Sequence, residues 1–204
     1  MANLLETVTG QFVDIENPDP ATINIQDIAW GLSRMPRFCG HTVTTVPYNI
    51  AQHSLFVADE IELMLVEDGS WGRGYDRLIM LGLLHDAEEI YTGDWPSPVK
   101  RLPALHPIIK KIEADLKAAI FHSLGLFLPT EEEEAIIKKA DRIAQKIEAH
   151  AFMPSRGKDW PNMPSVSLER LQQFSAPLDS LTSYKLFMKK FDELATELNI
   201  QTGV

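Results

Sequence analysis

A histidine followed at once by an aspartate, His85-Asp86, closes the most apolar stretch of this sequence, Leu78 to Leu84. An ionised carboxylate in such surroundings costs several kcal/mol unless a cation or strong hydrogen bonds compensate it. Adjacent residues on a helix point about 100° apart, so the pair can share one ion only if it lies between their directions. Further donors must then come from other helices. His53 lies three after Ile50 and four before Val57; Asp141 lies four after Ile137 and three before Ala144. Each therefore stands beside a helical apolar stripe. Two imidazoles and two carboxylates, His53, His85, Asp86 and Asp141, suit one divalent transition ion. Singly, each has a plainer reading: His53 as a hydrogen-bonded core histidine, Asp141 as a buried partner for Arg142 or a lysine. Their joint inward phase favours the metal set. Glu89, four after His85 and three after Asp86, lies on the same helix face one turn on. It reads as an acid beside the ion, with a surface charge as the alternative.

Helices must carry these residues. The pattern predicts a first helix over Asp27–Met35 stopped by Pro36, a loop over Arg37–Pro47, and a second helix over Tyr48–Val66. A third, Tyr75–Tyr91, is apolar nearly all round at its centre and should be buried; Gly93, Pro96 and Pro98 end it. A fourth covers Pro107–Leu124 and stops at Gly125. The fifth starts at the capping box Thr130/Glu133 and reaches Phe152, with Glu131–Glu134 as a solvated first turn. A loop over Met153–Pro177 carries one short helix near Leu168–Phe174, and a last helix spans Leu181–Leu198. Before all of these, Phe12, Val13 and Ile15 and then Ile23 and Ile25 flank Asn17-Pro18-Asp19-Pro20, which suggests a hairpin around that turn. The fold class is all-α, a helical bundle with a small N-terminal β-hairpin. Its organisation reads as a single domain over 1–204, with a metal-binding core at about 27–152 and a C-terminal loop and closing helix over 153–204.

Composition narrows the function. At 204 residues the chain can bury a sizeable core without disulfides, and its single cysteine, Cys39, excludes an internal one. No stretch is apolar for long enough to span a membrane, and the N-terminus lacks a signal-peptide pattern, so a cytoplasmic protein is expected. With 19 Lys+Arg against 29 Asp+Glu, the net charge is -10. That argues against nucleic acid as a partner, while a small phosphorylated ligand stays open through a metal and a few local bases.

The segments "YNIAQHS", "LLHDAEEIYTGDWPSPVK" and "KKADRIAQ" resemble the HD-domain metal-dependent phosphohydrolases over roughly Asp27–Phe152. The long middle segment is similar to the branch of bacterial 5'-deoxynucleotidases and phage deoxynucleoside triphosphate hydrolases. The resemblance implies the HD-domain fold and one divalent metal (Co, Mn, Zn, Ni, Fe or Mg) on His53, His85, Asp86 and Asp141. It also implies catalytic roles for Glu89 and Asp94 on the reacting water and leaving oxygen, and an arginine-aromatic pair, here Arg37-Phe38, in the substrate pocket. Arginine suits phosphate because its planar fork can hold two oxygens. His41 and Lys100 are further phosphate candidates, and Trp95 can stack on a base. His106 and His122 are read as structural or surface histidines.

These residues imply hydrolysis of a nucleotide phosphate. The metal would polarise the phosphoryl oxygen and activate water, Arg37 would offset phosphoryl charge, and Glu89 or Asp94 would protonate the leaving oxygen. The scarcity of cations favours a nucleoside 5'-monophosphate, and the resemblance adds the deoxy sugar. A triphosphate hydrolase acting on dATP-type substrates is the alternative, with Arg34, His41, Lys100 and Arg101 as its extra cations. Two rivals of other classes are a non-catalytic nucleotide-binding module and a di-iron HD oxidase. A homodimer is left open.

Overall fold

The computed structural model describes residues 3–69, 74–173 and 176–200. In chain order it has strands β1 (Leu4–Glu6) and β2 (Phe12–Asp14), then helices α1 (Ile25–Arg34), α2 (Ile50–Glu67), α3 (Asp76–Leu83), α4 (Glu89–Thr92) and α5 (Ser97–Lys100). Helices α6 (His106–Ser123), α7 (Glu131–Phe152), α8 (Leu168–Leu171) and α9 (Ser180–Glu197) follow. The architecture is the expected all-α bundle with a small N-terminal hairpin.

Several long helices begin where a side chain takes up their free amides. Asn24 accepts from the Asp27 N–H at the head of α1, Asn49 from Gln52 on α2, and Asp179 from Leu181 and Thr182 on α9. Thr130 and Glu133 form the reciprocal capping box of α7. The short helix expected near Leu168–Phe174 is α8, and Phe174 lies outside the described residues.

Two expectations are corrected. The hairpin does not bend at Asn17–Pro20. It pairs β1 with β2 antiparallel, Leu5 opposite Val13, across the turn that contains Gly10 at φ 82°. Asp19 caps a 3-10 turn over Pro20–Thr22 instead, because proline's fixed φ and the aspartate cap suit a helical start. Asp27 then docks the hairpin on α1 by accepting from the Thr9 N–H and hydroxyl at 3.0 and 2.7 Å.

The second correction bears on function: the third helix is not continuous to Tyr91. Helix α3 ends at Leu83, and α4 starts at Glu89. Between them the amides of Ala87 and Glu89 reach back three residues, to Leu84 and Asp86. The cause is local. The His85 ring sets its Nδ1 against the Gly82 carbonyl at 2.8 Å, taking an acceptor that a continuing helix would use.

Helix α2 packs against α1, α3, α7 and α9, and its inward face includes Ile50, His53, Val57, Ala58 and Ile61. Two glycines let the neighbours come close. A Cβ at Gly82 would lie 2.3 Å from Ile61 Cδ1, and one at Gly31 would lie 2.7 Å from both Cβ and Cγ2 of Ile90. The second collision is the harder to relieve, because those atoms sit next to the α4 backbone. Gly31→Ala should therefore destabilise the protein by about 1–3 kcal/mol through overpacking, against a gain of about 1 kcal/mol from helix propensity. Thermal denaturation checks this: Tm should fall by a few degrees, and a rise would mean that α4 does not rest tightly on α1.

Candidate functional site

Two helices and one turn bring the metal-type residues together. His53 comes from the second turn of α2, His85 and Asp86 from the turn after α3, and Asp141 from the middle of α7. The Nε2 atoms of His53 and His85 face each other at 3.2 Å. Asp86 Oδ2 lies 3.1 Å from His85 Nε2 and 3.6 Å from His53 Nε2, and Asp141 Oδ1 lies 3.3 Å from His53 Nε2. His53, His85 and Asp141 each offer a ligand atom within 4.8 Å of the others, a group that could hold a metal ion. Because the chain tightens at His85, Asp86 swings to the same side and the two side chains converge.

The far side of each imidazole is also fixed. His53 Nδ1 lies 2.6 Å from Glu148 Oε1, and His85 Nδ1 lies 2.8 Å from the Gly82 carbonyl. A carbonyl only accepts, so His85 Nδ1 is the donor there and Nε2 is the nitrogen turned inward. Two inward nitrogens so close together, flanked by two carboxylates, need a shared cation. Without a metal, a proton on His53 supplies it: burial and Arg37 pull its pKa down, but Glu148 and Asp141 prevail and carry it up to about 9. The donor set therefore fits a divalent ion, which would replace that proton. Both ligand-type carboxylates are adapted to charge. Burial would raise them, yet the histidines and Arg37 hold Asp86 well below the usual range and bring Asp141 to about 2.

Glu148 was missed by the sequence reading. It is fully buried and bonds three groups: His53, the Tyr48 hydroxyl at 2.9 Å and Arg37 Nε at 2.9 Å. Its position, seven after Asp141 on the same face of α7, was the available signal.

The remaining candidates divide into two groups. Arg37 is buried and committed to carboxylates: Glu148, Asp141 at 3.4 Å and Asp86 at 3.7 Å. Glu89 is 3% exposed, beside Asp86 and Asp94, with Oε1 on the Lys100 ammonium at 3.1 Å. Burial and the two aspartates lift its carboxyl to about 9. Asp94 is half-buried with its carboxyl also raised, by burial and by Asp86, against Arg37 and Lys100. Phe38 lies 5.3 Å from the Arg37 guanidinium and meets Trp160 edge-on at 5.7 Å. It and Cys39 take left-handed backbone, at φ 56° and 52°, which turns the chain sharply after Arg37. The second group faces solvent or is held by other partners. His41 and Trp95 are exposed, Arg34 lies over the Trp30 ring at 4.4 Å, and Arg101 donates to the Ser97 carbonyl.

Comparison with known proteins gives the family. Residues 30–194 match the model described as 5'-deoxynucleotidase YfbR-like, and the chain belongs to this HD-domain family of nucleotide phosphohydrolases. HD-domain proteins usually bind a divalent metal. The chain is 35% identical over 144 residues to an uncharacterized protein of Rhodobacter capsulatus, covering 70% of this chain and 69% of that one. It is 28% identical over 195 residues to the uncharacterized Escherichia coli K12 protein YfdR, covering 95% and 96%. A 5'-deoxynucleotidase of Pasteurella multocida is 32% identical over 121 residues, covering 50% of this chain and 60% of the relative. Among the described residues, no helix is long and apolar enough to cross a membrane.

Glu88, next to Glu89, gives this region a pH-dependent stability. It is buried, its Oε2 has no hydrogen-bond partner among the described residues, and burial raises its carboxyl to about 7 against the pull of Lys117. A raised folded-state pKa means stability that is full below the unfolded value, about 4.5, and lost as pH rises through about 7. The loss should be on the order of 3 kcal/mol. Urea unfolding of metal-free protein at pH 4.5 and pH 8 checks this. Glu88→Gln should gain stability relative to wild type by about that amount across the interval, and a constant difference would contradict it.

Proposed function

We propose that the chain hydrolyses the phosphate ester of a nucleoside 5'-monophosphate, a deoxynucleotide, with one divalent metal on His53, His85, Asp86 and Asp141. The observation that carries this reading is the convergence of two inward imidazole Nε2 atoms and two carboxylates, beside a buried acid and a fixed arginine. When bound, such an ion supplies Lewis acidity toward a phosphoryl oxygen and an adjacent water.

The protein's own groups supply the rest. Glu89 has one oxygen tied to Lys100, while the other, Oε2, is buried and has no partner among the described residues. That oxygen can hold the proton that passes between the attacking water and the leaving sugar oxygen. A carboxyl lifted by its surroundings suits such an exchange near neutral pH. Asp94, close enough to raise the Glu89 carboxyl, is assigned with it to the reacting water and the leaving oxygen. Arg37 bonds carboxylates through Nε and Nη2, while Nη1 makes only the longer 3.7 Å ion pair and keeps donor capacity for a phosphoryl oxygen. Phe38, beside it, can cover the phosphate from water.

The preference for a monophosphate rests on the same electrostatics. A triphosphate brings roughly two more negative charges into a site already rich in acids. The extra cations it would need are occupied or distant: Lys100 by Glu89 and Glu113, Arg34 over Trp30, Arg101 at its own helix end, His41 in solvent. The name of the Pasteurella relative, a 5'-deoxynucleotidase, supports the same substrate.

Two outcomes follow. Asp86→Ala should reduce metal per chain to background, measured by elemental analysis after dialysis; unchanged metal content would remove Asp86 from the ligand set. The metal-loaded protein should release inorganic phosphate from dAMP or dGMP, and Glu89→Gln should lower kcat by roughly 10²–10⁴ with metal retained. Release of tripolyphosphate from dATP, with no action on monophosphates, would overturn the substrate reading.

A further inference from the structure

Lys100 was expected to meet phosphate, but the structure gives its ammonium other work. The residue ends α5, the short helix that follows the Gly93–Pro96 loop, and is about a third exposed along its side chain. Its Nζ lies 3.1 Å from Glu89 Oε1 and 2.9 Å from Glu113 Oε1. Glu113 stands on α6, a helix that contributes none of the proposed metal ligands. One turn further along that helix, Lys117 donates to the His85 carbonyl at 3.1 Å. Helix α6 thus grips the segment from His85 to Glu89 at two points, once through Lys117 and once through the Lys100 bridge.

The geometry around Glu89 requires such a hold. Its side chain is 4% exposed and lies beside Asp86 and Asp94. Among the described residues its carboxyl makes one hydrogen bond, to the Lys100 ammonium, so its orientation depends on that contact. A lysine alone is a poor restraint because its stem is long and flexible. A second carboxylate on a long helix reduces that freedom through an ion pair at 2.9 Å. The result is that Oε1 is anchored while Oε2 has no partner, an asymmetry that suits a group with one oxygen for positioning and one for chemistry.

We propose that Lys100, braced by Glu113, is a positioning residue that orients Glu89 for proton exchange and does not bind the substrate phosphate. This rests on the catalytic reading of Glu89, so the experiment must separate the two. Kinetics of Lys100→Met, Lys100→Arg, Glu113→Gln and Glu89→Gln would be measured on metal-loaded protein with dAMP, together with the Glu89→Gln/Lys100→Met double variant. Lys100→Met should lower kcat about 10- to 100-fold with KM within about twofold. Lys100→Arg should restore most of the loss, and Glu113→Gln should show a smaller loss of the same kind. The double variant should be no slower than Glu89→Gln alone, because Lys100 acts through Glu89.

A readout without turnover comes from ¹³C NMR of the carboxyl groups in metal-free protein, with the Glu89 signal assigned by its loss in Glu89→Gln. Its titration midpoint should move up by about a pH unit in Lys100→Met, since a neighbouring cation is lost. A midpoint that stays put overturns the proposal. So does a rise in KM with kcat intact, which would return Lys100 to the phosphate. If Glu89→Gln is as active as wild type while Lys100→Met shifts the midpoint, the catalytic reading of Glu89 fails and the ion-pair geometry survives.

Discussion

A carboxylate sealed from water must be matched on both oxygens, and much of this site is built around meeting that demand at Glu148. Its oxygens take a histidine, an arginine and a tyrosine from three separate places: His53 on α2, Arg37 in the turn after α1, and Tyr48 just before α2. Removing any one leaves a buried charge short of a partner, which is the expensive way to break such a network. The arrangement fixes the rotation of His53 and therefore the direction of its Nε2. It also holds Arg37 3.4 Å from Asp141, which helps to keep that carboxylate charged. The site is set by what lies behind it.

The second determinant is where α3 stops. If the helix had run on to Tyr91, His85 and Asp86 would diverge by about 100°. By capturing the Gly82 carbonyl, His85 both directs its own Nδ1 and tightens the chain, so one hydrogen bond orients two candidate ligands. Gly82 serves a further purpose there, because a side chain on it would meet the tip of Ile61 and force that side chain to shift where α3 approaches α2. The 3.2 Å between the two Nε2 atoms depends on that approach.

This explains what could and could not be read from the sequence. Helices α2, α6, α7 and α9 were legible because their stripes and caps are local signals: Thr130 with Glu133 marked the start of α7 to the residue. His53, His85, Asp86 and Asp141 were legible because each departs from an apolar face at helical spacing. The break after Leu83 was not, since it comes from a side chain competing for a backbone acceptor and leaves the hydrophobic pattern intact. Glu148 was passed over because one acid on a long charged helix looks like solvent-facing charge unless its partners, about 100 residues away along the chain, are known. Lys100 was placed on phosphate by sign alone, and only the fold reveals that two carboxylates already hold it. The hairpin was misplaced because Asn17–Pro20 carries the stronger turn signal, while the true turn near Gly10 owes its position to Asp27 taking up Thr9.

The charge distribution then has a functional sense that net charge does not convey. Asp86, Asp94, Asp141, Glu89 and Glu148 would repel one another if left bare, and the protein answers with few fixed cations, chiefly Arg37 and Lys100, and two histidines. Neither fixed cation is free in the way a phosphate-binding surface requires: Arg37 has one nitrogen in reserve and Lys100 is doubly paired. A divalent ion would supply most of the missing positive charge. The same frugality makes Glu89 sensitive to its surroundings, because with so few cations nearby a single ion pair governs how its carboxyl is held. The acidity of the cluster therefore belongs to one design, in which the acids outnumber the fixed bases until a divalent ion is counted with them.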